Sequence, residues 1–324
     1  MTKPTGKPLS GVSVHLRSWG AMALAAGEIR PGADYGAKMN RVLAKAHIYL
    51  LCRRPRFSFD PDTFSYDGNT VSGDLHCMAD GNPLSIHFGF PLVLAENETN
   101  VALSPSPYHE IRTLDADGNC LRRISAGGLS QHPAIIAERE ALNDLEVLYV
   151  GNVFGDGDTP VFDRIFRDAP LQHLLAELQN ALPDDEVIVY AFEYLPYELV
   201  TLPGRLQHDG ISSADGIPAG ERRFLSVRDH PLTERQKICL AQAGLIHYFR
   251  PAWQETGDRM MPHPQQAAFT ACESLDISGL ILELSTIRSH FRLYTPHSAL
   301  LPHHMTIIDL SDPAERAAFF AMPI

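Results

Sequence analysis

The sequence predicts an α+β protein, with an antiparallel β-rich part over residues 1–130 and an α/β part with appended strands over 131–324. Three observations carry this expectation. Between Phe57 and Ile124, β-forming residues alternate with turn pairs such as Asp67-Gly68, Gly81-Asn82 and Asp117-Gly118, the rhythm of short antiparallel strands. From Asp144 the β-type run LEVLYV, two helical stretches and the strand-like EVIVYAFEYL follow one another, as in an α/β core. A chain of 324 residues that is 44% hydrophobic and 20% charged has the length and composition to bury such a core.

Residues 1–33 are rich in Gly, Pro and small side chains and show no sustained period, which leaves a surface wrap or short strands. Asp34 is placed to cap a helix through about Ala46, and HIYLLC then reads as a short buried strand. HEIRTLDADGNCLRRI is a hairpin turning at Asp117-Gly118-Asn119. The change of composition at Gly127 and Gly128 marks a boundary near 126–131, and HPAIIAEREALNDL, from His132, is a helical bridge to the second part.

LEVLYV stops at Gly151. Thr159-Pro160 supplies a capping hydroxyl and a first-turn proline to a helix whose buried face is Val161, Phe162, Ile165 and Phe166. After Pro170, Leu171, Leu174, Leu175, Leu178 and Leu182 recur at the helical period. Pro183-Asp184-Asp185 turns the chain into EVIVYAFEYL, a central strand by length and β-branched content. A stretch from about Pro196 to Pro231 reads as one long loop.

Thr233 and Gln236 form a capping box, and Arg250-Pro251 ends that helix. On it Ile238, Gln242, Leu245 and Phe249 share one stripe, so Gln242 points where the apolar residues point. A buried amide without partners costs about 1–3 kcal/mol, so Gln242 must be hydrogen-bonded or line a polar pocket. GLILELSTIRSHFRLYT reads as a further hairpin, MTIIDL as a strand, and a terminal helix starts after Ser311-Asp312-Pro313.

The formal charge is −12, from 27 basic and 39 acidic residues, which repels polyanions at long range. Nucleic acid therefore needs a local basic patch. Between Asp34 and Asp60 lie Lys38, Arg41, Lys45, Arg53, Arg54 and Arg56 with no acid among them. Two readings stay open for this run: a solvated helix face with a strand end, or phosphate contacts through Arg53, Arg54 and Arg56. The five cysteines are scattered without zinc-like spacing and read as reduced thiols of a cytoplasmic protein. No apolar run approaches the length of a membrane span.

Tyr149-Val150-Gly151, Arg164 on the next helix and the helix AQAGLIHYFRPAWQ together resemble the layout of the GIY-YIG nucleases. The part from about Asp144 to Phe320 also resembles a group of uncharacterised bacterial proteins that carry this layout. The resemblance implies a divalent-metal-dependent phosphodiesterase acting on nucleic acid, with a place in anti-phage defence. In such a site Tyr149 would help activate water and Arg164 would stabilise charge on phosphate. Magnesium or manganese would sit at the position that Gln242 holds here in place of a glutamate. Gln254 stands at a second position of the pattern, where asparagine is expected. The amide of Gln242 lacks the charge that holds a hard cation, so the identity of any metal ligands stays unknown. The alternative from another class is a non-catalytic scaffold that binds a protein or nucleic-acid partner. Arg164 equally fits an ion pair with Asp163, Asp168 or Glu177. Asp156 and Asp158 in the glycine loop, and His208, Asp209 and Asp215 in the long loop, are further polar candidates without a constellation.

Overall fold

A computed structural model describes residues 11–79, 81–132, 140–155, 157–202, 219–254, 266–275 and 277–324. The chain is α+β. Among the described residues nine strands make its main sheet: β1 (Gly11–Ala25), β2 (Ile48–Pro55), β10 (Asp144–Asn152), β11 (Asp185–Tyr194), β12 (Glu198–Leu202), β13 (Gly279–Ser285), β14 (Arg292–Thr295), β15 (Ser298–Leu301) and β16 (His303–Asp309). They lie in the order β15-β14-β10-β2-β11-β1-β13-β16, with β12 also paired to β1. Two small antiparallel sheets form the β-rich layer. One holds β3 (Ser58–Phe59), β4 (Ser65–Tyr66), β5 (Thr70–Ala79) and β6 (Asn82–Pro91); the other holds β7 (Asn100–Leu103), β8 (Glu110–Leu114) and β9 (Cys120–Ser125).

The large sheet crosses the boundary expected near residue 130. β2 lies between β10 and β11, and β1 between β11 and β13, so strands from the first part are internal to the second. The reason is visible in β2, where Ile48, Tyr49, Leu50, Leu51 and Cys52 are all buried. A strand apolar on both faces needs cover on both, and only the interior of a large sheet gives it. β1, expected as a wrap or short strands, is a single strand of 15 residues whose Val12, Val14 and Leu16 face the core.

Helices cover both faces. On one lie α1 (Ala37–Lys45), α3 (Val161–Arg167) and α4 (Ala169–Ala181), packed on Tyr49, Leu51, Leu148, Tyr149, Val189 and Ala191. On the other lie α6 (Glu234–Phe249), α7 (Gln266–Ala271) and α8 (Pro313–Phe320), packed on Leu50, Cys52, Val147, Val150, Tyr190 and Phe192. Short α2 (Ala126–Leu129) closes the β-rich layer, and α5 (Ala219–Asp229) precedes α6. Among the described residues no helix is long and apolar enough to cross a membrane. The expected helix from His132 falls mostly on residues outside those described, and Glu140–Asn143 is a 3-10 turn. The supposed long loop carries β12 and α5; its candidates His208, Asp209 and Asp215, like Asp156, lie outside the described residues.

α6 is buried on nearly all sides, from Lys237 through Ile246. Its capping box forms as expected: the Thr233 hydroxyl accepts from Gln236 N–H at 3.3 Å and the Gln236 side chain accepts from Thr233 N–H at 3.0 Å. Gly244 lets it approach β13, since a Cβ there would stand 2.0 Å from a Leu282 methyl. α3 starts one residue late, with Pro160 rather than Thr159 at its N-cap, and Phe166, expected inside, is 43% exposed.

The hairpin expected from GLILELSTIRSHFRLYT does not form. β13 and β14 both pair with the stretch β15–β16 instead, β13 with β16 and β14 with β15. Thr286 N–H bonds Pro302 O at 2.8 Å between the two registers, making one continuous ladder. β1 pairs in parallel with β13 and β10 in parallel with β14. The broken strand β13–β14 thus draws both ends of the β10-β2-β11-β1 sheet toward itself and curls the sheet around α6.

Candidate functional site

The three residues expected to form a nuclease centre sit on different sides of the sheet. A bulge between Val147 and Tyr149 disturbs the alternation of β10, so that Leu148 and Tyr149 both join the cluster under α1, α3 and α4. Tyr149 is 1% exposed, its ring 6.3 Å from that of Tyr49. Gly151 makes room for this pair: a Cβ there would lie 2.3 Å from the Tyr49 hydroxyl.

Arg164 is on the same side and is also buried. Among the described residues its hydrogen bonds run to backbone carbonyls and a histidine, and no ion pair with Asp163, Asp168 or Glu177 forms. Its guanidinium donates to the carbonyls of Leu43, Ala44 and Ala46 at the end of α1, to Val153 O and to His47 Nδ1. A helix end leaves carbonyls without intrahelical donors, and a planar cation with several N–H groups satisfies them together. Because arginine only donates, His47 Nδ1 accepts. Burial, and then the neighbouring Arg164 cation, push the His47 pKa down and keep the ring neutral.

Gln242 is 0% exposed and lies on the other side, against β10 from α6. As the sequence required, its amide is bonded: Nε2 donates to Val150 O at 3.3 Å, and Oε1 accepts from the Asn152 side chain. Gln254 completes the arrangement. Its Oε1 accepts from Val150 N–H at 3.1 Å and its Nε2 donates to Val150 O at 3.3 Å, while Trp253 N–H bonds Leu148 O at 3.0 Å. β14 pairs only with residues 144–146 of β10. Beyond that point the two glutamines and Trp253 stand in for a neighbouring strand. This donor set does not fit a magnesium or manganese ion. Both amides are committed to backbone or side-chain partners, and among the described residues no group of three or more His, Cys, Asp or Glu is placed to hold a metal.

Two arginines of the basic run are likewise neutralised by residues distant in sequence. β2 lies between β10 and β11, which bring acids beside it. Arg53 pairs with Glu146 at 2.7 Å and Asp185 at 3.2 Å. Arg54, 3% exposed, pairs with Glu186 at 2.6 Å and donates to Gly127 O, Ser130 and Asn143. These two arginines do not present a phosphate-binding surface.

Arg56 does reach open space. It donates to Asp185 O at 2.7 Å and lines two cavities on either side of a wall shared with Pro107 and His109. The larger, about 530 Å³, lies between the β-rich layer and the core, with Arg30, Arg56, Arg112, His109, Glu110 and Glu186 on its walls. The second, about 500 Å³, adds His76, Met78 and Leu84. Neither contains Tyr149, Arg164 or Gln242.

Within the larger cavity Glu186 is taken by Arg54 and Glu110 by Arg112 at 2.7 Å. Burial opposes the Glu110 charge, but the Arg112 and Arg123 guanidiniums outweigh it and hold its pKa below the ordinary value. Arg30 donates to the Gly27 and Ile29 carbonyls and Arg56 to a carbonyl as well, so among the described residues neither cation is matched by a carboxylate. His109 Nδ1 is 3.0 Å from Phe57 O, a contact that only an N–H can make, so in the neutral ring Nε2 is left as an acceptor. Sequence reasoning singled out Arg56 but missed Arg30, Arg112 and His109, which come from separate segments of the chain and meet only on the walls of this cavity. In comparison with known proteins, no family model matches the chain, and neither a curated protein nor a solved structure matches it.

Proposed function

We propose that this protein acts by binding rather than by cutting phosphodiesters, and that its ligand occupies the arginine-lined cleft between the β-rich layer and the core. The observation that supports this most directly is the placement of Tyr149 and Arg164 on one side of the sheet and Gln242 on the other, each committed to the fold. On this reading the part from Asp144 is a GIY-YIG-like frame whose former catalytic positions now hold strands and helix ends together. The cleft offers Arg30 and Arg56 as cations, His109 Nε2 as an acceptor and a volume of about 530 Å³, which suits a small anionic ligand of nucleotide size.

Calorimetric titration with inorganic phosphate and with nucleoside mono- and diphosphates tests this. Binding of a nucleotide is expected, and Arg56→Ala weakens it by about tenfold or more, the value of a lost charge-assisted hydrogen bond. Arg17→Ala, on β1 and paired with Glu198 at 3.1 Å, leaves it unchanged. Equal affinities of the two variants, or no binding by the wild type, would remove the cleft from consideration. Cleavage of plasmid DNA by the wild type with magnesium or manganese would overturn the non-catalytic reading itself.

A further inference from the structure

The continuous edge formed by β15 and β16 carries four of the ten large hydrophobic side chains exposed among the described residues. Leu300, Leu301, Met305 and Ile307 are 38%, 41%, 53% and 64% exposed. Among the described residues no strand pairs with its outer side. Such an edge carries unpaired backbone groups as well as apolar surface, and proteins ordinarily blunt it with charge, proline or a covering segment. Here the only proline, Pro302, lies at the junction of the two strands.

The hydrogen-bond pattern fixes which residues face outward. Leu310 N–H bonds Ser278 O, and Thr286 N–H bonds Pro302 O, so the even-numbered residues of β16 turn their backbone groups to β13. His303, Met305, Ile307 and Asp309 therefore turn theirs to the open side. Their side chains also share the exposed face of the sheet.

We infer that this edge pairs with the same edge of a second copy, antiparallel and about a twofold axis through Thr306. That register is the one in which outward-facing residues meet outward-facing residues and an imidazole faces a carboxylate. Met305 lies opposite Ile307 of the second copy, His303 opposite Asp309, and each pairing occurs twice by symmetry. Because β13 sets Ile281 beside Ile307 and Glu283 beside Met305, an apolar row runs from Ile281 through Ile307 to Met305 of the second copy. The two large sheets become one. The contact is isologous and closed, so it gives a dimer and not a fibre.

Sedimentation of the wild type at micromolar concentration is expected to give about twice the 35.8 kDa chain mass. Ile307→Lys sets two ammonium groups near the axis and raises the dissociation constant by about tenfold or more. Asp309→Lys weakens the dimer, and adding His303→Asp to it restores association through a reversed pair. Thr306→Cys forms an intermolecular disulfide on mild oxidation, since residues facing across the axis have Cα atoms about 4.5 Å apart. The wild-type chain does not cross-link there: Cys52, Cys77, Cys239 and Cys272 are buried, and Cys120 is on another sheet. A monomeric wild type overturns the inference, as does a dimer unaffected by Ile307→Lys in a folded variant. A dimer in which Thr306→Cys fails to cross-link overturns the proposed register.

Discussion

Arg164→Ala is expected to lose about 3–5 kcal/mol of stability, because several buried carbonyls lose a donor together and each buried group left unsatisfied costs about 1–3 kcal/mol. The carbonyls of Leu43, Ala44 and Ala46 and that of Val153 lose a common donor at a buried site. α1 is then left with an unsatisfied C-terminus under the sheet, and its packing on Tyr49 and Leu51 loosens with it. Arg164→Lys should recover less than half of the loss. An ammonium carries the charge but places its donors around one atom, and it cannot reach the α1 carbonyls and Val153 O together. Chemical denaturation of the wild type and both variants decides the matter. If Arg164→Ala unfolds at the wild-type midpoint, its guanidinium is not needed by the fold, and a role toward phosphate becomes available again.

The signals legible in the sequence were the local ones. The capping box of α6, the turn at Gly118 and the Asp312 cap of α8 need only residues within a few positions of one another, and all three form. β1 was legible in part: Val12, Val14 and Leu16 alternate with Ser13, His15 and Arg17, but the small residues of AMALAAG hide the period further on. What could not be read was pairing between distant segments. A run of arginines without nearby acids reads as a basic patch, yet Glu146, Asp185 and Glu186 arrive beside it from two other strands. In the same way, GLILELS and RLYT contain nothing that separates partners of each other from successive partners of β15–β16. The cleft is the extreme case. Its walls come from residues 25–30, 56–57, 104–127 and 179–187, and no short window of sequence contains more than a part of it.

Gln242→Glu, the change that would restore the carboxylate of the nuclease pattern, is expected instead to destabilise the protein by about 3 kcal/mol or more at neutral pH. The substitution keeps the size of the side chain and removes its only donor. Nε2 of Gln242 donates to Val150 O, and a carboxylate placed there would set two acceptors against each other at a fully buried site. Asn152 still donates to one oxygen, which offsets part of the cost. The penalty should depend on pH in a defined direction. Burial and the facing carbonyl raise the pKa of the introduced carboxyl in the folded state above the value of about 4.3 that it has when unfolded. At pH below that value the side chain is protonated in both states, its O–H replaces the lost donor, and the variant approaches the wild type. As pH rises above it, the unfolded chain ionises first, and stability falls relative to the wild type by about 1.4 kcal/mol per unit until the folded-state pKa is passed. Denaturation midpoints of the two proteins, compared across this range, measure the slope. Magnesium should not reverse the effect, because among the described residues the polar side chains bonded to this stretch of β10, Gln254 and Asn152, carry no charge to hold the ion. A variant that is as stable at neutral as at acid pH, or that magnesium stabilises, would show that the pocket beside Val150 accepts a cation after all.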